Sequence, residues 1–88
     1  MYSLIQHYLA INDLQNASLF GEFLCKFDED HYNHFVWFAR VNRLLGDNEK
    51  ARTNYEEALR ICERDKNWPT ESMNKLTEAI RKEMEKLV

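Results

Sequence analysis

Apolar residues recur at intervals of three and four along most of the chain, with four polar or turn-forming interruptions. Residues three and four apart share one face of a helix, so the pattern predicts five amphipathic helices. Leu4, Ile5, Tyr8 and Leu9 mark the first, over Met1–Ile11, which Asn12-Asp13 ends. The second spans Leu14–Phe27, with Ala17, Phe20, Gly21, Leu24 and Phe27 as its inward stripe, before the acidic loop Asp28-Glu29-Asp30. The third covers His31–Leu45 and the fourth Asn48–Arg64, the latter with Ala51, Tyr55, Ala58, Leu59 and Cys62 on one face. Between them, Gly46 supplies a left-handed helix end at little steric cost, and Asp47 suits the cap of the next helix. The connector from Lys66 to Thr70 holds the sole proline, Pro69, and leads to a fifth helix striped by Met73, Leu76, Ile80, Met84 and Leu87. Small residues at Ala39, Ala51 and Ala58 predict close packing of the third and fourth helices as an antiparallel hairpin.

Shifting the chain by 34 residues places Leu4 on Phe38, Asp13 on Asp47, Ala17 on Ala51 and Leu24 on Ala58. Residues 32–65 resemble a tetratricopeptide repeat: Phe35, Phe38 and Ala39 take the first helix's aromatic, aliphatic and small positions. Gly46-Asp47 takes the turn, and Ala51, Tyr55 and Ala58 take the small, aromatic and small positions of the second helix. Asn42 departs from the family's tyrosine and Glu63 from its closing proline. The resemblance implies one all-α domain of antiparallel helix hairpins stacked as a short solenoid. Residues 1–31 would be a degenerate first repeat, 32–65 a well-formed one, and 70–88 a capping or third-repeat helix. It also places Asn33, Val36, Arg40, Arg43 and Leu44 on a concave groove, where the arginines would hold an acidic or C-terminal peptide. Trp37 stands where the chaperone-binding branch of the family carries an amide, which argues against that branch.

The two copies differ at one informative place. Thr53 and Glu57 are outward and polar, whereas their counterparts one period earlier are Leu19 and Phe23. With Phe20 and Phe27 beside them, the second helix is apolar nearly all round. Such a helix is either buried on both sides or marks an interface. The expected use of Leu19, Phe20, Phe23 and Phe27 is a protein contact, most simply a two-fold homodimer; the competing expectation is that the first helix folds back over them. The Asn-Ala-Ser-Leu-Phe helix (16–20) followed by a regular repeat is similar to N-terminal regions of the scaffold subunits of the anaphase-promoting complex. That similarity implies a scaffold within a ubiquitin-ligase assembly of the cell cycle, and repeat-containing scaffolds of splicing or bacterial regulation read much the same.

Composition narrows the remaining classes. The chain has 88 residues and a net charge of −3, but residues 1–38 contain Lys26 alone against five acidic side chains. Basic residues elsewhere are interleaved with acids, as in Arg81-Lys82-Glu83-Glu85-Lys86, which reads as a solvated helix face and not a nucleic-acid surface. No apolar run is long enough to span a bilayer, and the N-terminus does not read as a signal peptide, so cytoplasm or nucleus is the expected compartment. Cys25 and Cys62 then read as reduced, packed thiols. Cys25, His31 and His34 have a spacing that matches no strong zinc pattern, and phosphate loops and nucleophile motifs are missing. The expectation is a non-enzymatic protein without metal or cofactor.

Overall fold

The computed structural model describes residues 3–64 and 70–87. Among the described residues five helices appear in the order expected: α1 (Ser3–Ala10), α2 (Leu14–Phe27), α3 (Tyr32–Leu44), α4 (Asn48–Arg64) and α5 (Thr70–Met84). The described residues contain no strand, so the fold is all-α. Most of the connector predicted at 66–70 lies outside the described residues. Each helix packs on the next in sequence, and the α3–α4 hairpin is the most extensive contact. The shortest dimension, 19 Å, matches two helix diameters, as expected for a double layer of hairpins.

The turns follow from their residues. Asp13 caps α2 by accepting the Asn16 N–H at 3.3 Å, while Asn12 takes a left-handed φ of 60°. Gly46, at φ 85°, turns the chain after α3, and Asp47 Oδ1 accepts the Lys50 N–H at 3.1 Å. Helix α3 is shorter than predicted by one residue at each end. His31 is extended there, and Leu45 follows the last helical residue.

Two clusters form the core. One joins Ile5, Ala17 and Val41, with Tyr8, Leu9, Phe20 and Trp37 against it. The other joins Val36, Ala39, Ala51, Tyr55, Ala58 and Cys62 with Ile80 and Leu87. The three alanines are fully buried, which is the close approach their size allows. Helix α5 departs from expectation at its end. It stops at Met84, and a tight turn through Leu87 N–H to Met84 O, at 3.0 Å, returns Leu87 to the core.

Gly21 is the second close approach. A Cβ there would lie 2.9 Å from Phe38 Cδ1 and 3.4 Å from its Cβ and Cγ. Overpacking of this kind costs about 1–3 kcal/mol, partly offset by the poor helix propensity of glycine. Gly21→Val is therefore expected to lower the urea midpoint by the equivalent of about 2 kcal/mol. Adding Phe38→Leu should recover part of that loss. A midpoint unchanged by Gly21→Val would show that α2 and α3 are not held at this distance.

Candidate interaction surfaces

Helix α2 buries one side and exposes an apolar one. Ala17, Gly21, Leu24 and Cys25 point inward. Leu19, Phe23 and Phe27 are 60%, 57% and 73% exposed. Phe27 thus leaves the inward stripe predicted for it, and Cys25 takes its place beside Gly21 and Leu24. The cause is rotational. Near 100° per residue, the inward set centres on Ala17 and Gly21, which leaves Phe27 some 80° or more to one side. Phe20, partly buried, bridges the core and the exposed face. The rings of Phe20 and Phe23 lie 6.3 Å apart and those of Phe23 and Phe27 5.8 Å apart, both stacked. Helix α1 packs on α2 but leaves these side chains open, so it does not fold back over them. On the flank beyond Leu19, Lys26 pairs with Glu22 at 3.1 Å.

The residues assigned to the groove separate into three groups. Val36 is 4% exposed and belongs to the α3–α4–α5 core, so it is not a groove residue. Arg40 is engaged within the chain: Nε and Nη2 donate to the two carboxylate oxygens of Glu83 on α5, at 2.7 and 2.8 Å. Its guanidinium also sits 4.8 Å from the Trp37 ring. The Tyr55 hydroxyl donates to Glu83 Oε1 at 3.1 Å, so one carboxylate ties three helices together. Burial alone would raise the Glu83 pKa, but Arg40, the Tyr55 hydroxyl and the charge of Arg43 outweigh it and hold it low. Asn33 and Arg43 are half-buried, and Leu44 is exposed. The basic groove is thus filled at its centre by α5. Glu83, read from sequence as part of a solvated face, is the residue that fills it. Its partner lies 43 residues away, a separation at which sequence offers no local signal.

A third feature lies between the C-terminal end of α2, the loop that follows it, α3 and α4. An open cleft of about 310 Å³ is lined by Cys25, Lys26, Phe35, Glu57, Arg60 and Arg64 among others. Its two arginines are paired within it: Arg64 bonds Asp30 at 2.7 Å, and Arg60 bonds Glu57. The Arg64–Asp30 bond ties the end of α4 to the loop between α2 and α3.

The candidate zinc residues do not assemble. His34 is fully buried, with its ring 4.6 Å from that of His31, and burial lowers its pKa. Burial, with the charge of Glu22, pushes the Cys25 thiol up to about 12, which keeps it protonated and a poor nucleophile or ligand. Among the described residues, no group of three or more His, Cys, Asp or Glu side chains could hold a metal ion. Nor is any helix of the described residues long and apolar enough to cross a membrane. No protein-family model, curated protein sequence or solved structure matches the chain.

Proposed function

We propose that this chain is a non-enzymatic protein–protein interaction scaffold of tetratricopeptide-like hairpins, docking through the exposed ridge of α2. One observation carries the reading. Leu19, Phe23 and Phe27 form a contiguous apolar strip, each more than half exposed, on a helix whose other side is already buried. Contiguous exposed aromatics of this kind mark interaction sites. The 34-residue period and the Phe35–Ala58 pattern support the repeat reading. The similarity to scaffold subunits of a cell-cycle ubiquitin ligase makes a multi-subunit assembly in cytoplasm or nucleus the natural setting. The peptide-adaptor alternative has less support, because Glu83 takes the Arg40 donors and Val36 is inside the core.

A photo-crosslinking phenylalanine analogue placed at Phe23 tests the ridge. In cells it is expected to form protein adducts, whereas the same analogue at Glu56, exposed on α4, is expected to form few. Equal adduct yields at the two positions would refute docking through α2.

A further inference from the structure

Resting on that reading, we infer that the occupant of the ridge is a second copy of this chain, its α2 antiparallel across a two-fold axis near Phe23. The ridge itself has the required self-complementarity. Leu19, Phe23 and Phe27 are spaced by four along one line of the helix surface. A two-fold axis at the middle residue sets Phe23 against its own copy, and Leu19, the smallest of the three, against the second copy's Phe27. Large against small at both ends lets the ridges interdigitate.

The charges beside the ridge favour the same arrangement. Glu22 and Lys26 lie on the Leu19 flank, pair in cis at 3.1 Å, and have side chains 45% and 76% exposed. In an antiparallel two-fold pair, a flank faces the same flank of its copy. Glu22 then comes within about one helical turn of the second copy's Lys26, and the reverse contact forms by symmetry. A parallel pair turns this flank away from its copy and brings the two acidic loops, Asp28-Glu29-Asp30, to the same end. The antiparallel pair separates those loops and sets each near the N-terminal turn of the facing α2, where the helix dipole favours negative charge.

Size sets the strength. The exposed parts of Leu19, Phe23 and Phe27 amount to roughly 400 Å² per chain, or about 800 Å² in total, below the range of standard stable interfaces. The pair is therefore weak and reversible.

Charge exchange tests the pairing. Sedimentation of the unmutated chain at concentrations on the order of 100 µM is expected to show a monomer–dimer equilibrium. Glu22→Lys alone and Lys26→Glu alone should each weaken self-association by about tenfold. Mixed one to one, the two variants should associate more tightly than either does by itself, because only the mixed pair sets unlike charges across the axis. Circular dichroism melts of both variants should match the parent. As a register check, a mixture of Leu19→Cys and Phe27→Cys chains should oxidise mainly to the 19–27 heterodisulfide. An unmutated chain that stays monomeric, a mixture that follows the average of its components, or preferential 19–19 disulfides would each overturn the antiparallel pair. If the Phe23 crosslinker then still captures other proteins, docking through α2 stands and only the identity of the occupant is wrong; if it captures nothing, both are wrong.

Discussion

Tyr55→Ala is expected to unfold a large part of the population at room temperature. Tyr55 is the largest fully buried side chain among the described residues, set among Val36, Ala39, Ala51, Ala58 and Ile80. The alanines around it cannot swing into the space, because a methyl group has no reach, so the cavity stays open. Truncating a buried aromatic costs about 3–5 kcal/mol. Total stability is about 5–15 kcal/mol for natural domains, and a chain this short belongs to the lower part of that range. The thermal midpoint should fall by roughly 20–30 °C. Tyr55→Phe separates ring from hydroxyl: it keeps the packing, loses one bond to Glu83, and should cost about 1 kcal/mol. The hydroxyl also predicts an alkaline limb. Burial, with the charge of Glu83, raises the phenol from 10.0 to about 12, so the folded state holds its proton longer than the unfolded state does. Stability from this group is therefore full below pH 10 and declines as pH rises toward 12. That decline should be missing in Tyr55→Phe. Urea midpoints at a series of pH values measure both effects, and a Tyr55→Ala chain as stable as the parent would contradict this account of the core.

Most of the architecture was legible because it is local. Helix length and phase follow from three- and four-residue spacing, and the α3–α4 turn follows from Gly46 and Asp47, whose side-chain cap is observed. The exposed apolar character of Leu19 and Phe23 was also legible, through comparison with Thr53 and Glu57 one period later. What the pattern could not give was long-range pairing. The repeat resemblance places Val36 in a groove and the charge pattern places Glu83 in solvent, because the residues that bury them come from a helix distant in sequence. Periodicity counts Phe27 as inward for a related reason. A stripe of spaced hydrophobes defines a broad arc, and only the packed neighbours decide which edge of that arc is covered. Gly21 shows the opposite case. Its small size was visible, but its reason, the Phe38 ring at van der Waals distance, exists only in three dimensions.

Glu83→Ala is the second large effect. It would leave Arg40 and Arg43 around the Tyr55 hydroxyl without their shared counter-charge. Removing one member of a partly buried, doubly hydrogen-bonded pair costs about 2–3 kcal/mol, allowing for the solvent that still reaches Arg40. Amides of α5 should lose hydrogen-exchange protection before those of α3 and α4, since Glu83 holds α5 to the hairpin. The acid limb of the stability profile carries the same signature. Glu83 titrates below its ordinary 4.5 in the folded state, so its contribution is present above pH 4.5 and is lost as pH falls through the folded value. His34, lowered from 6.5 by burial, causes a separate loss that begins as pH falls below 6.5, because the unfolded state takes up that proton first. Glu83→Gln should flatten only the lower of these two segments, and an unchanged profile below pH 4.5 would rule out the Arg40–Glu83–Tyr55 linkage. The same variant bears on function. It withdraws the internal anion from Arg40 while keeping the size of the side chain. If the groove were a peptide site competing with α5, an acidic peptide would bind Glu83→Gln more tightly than the parent. No gain in binding is expected if the groove serves to fasten α5, and the α2 ridge then remains the proposed docking surface.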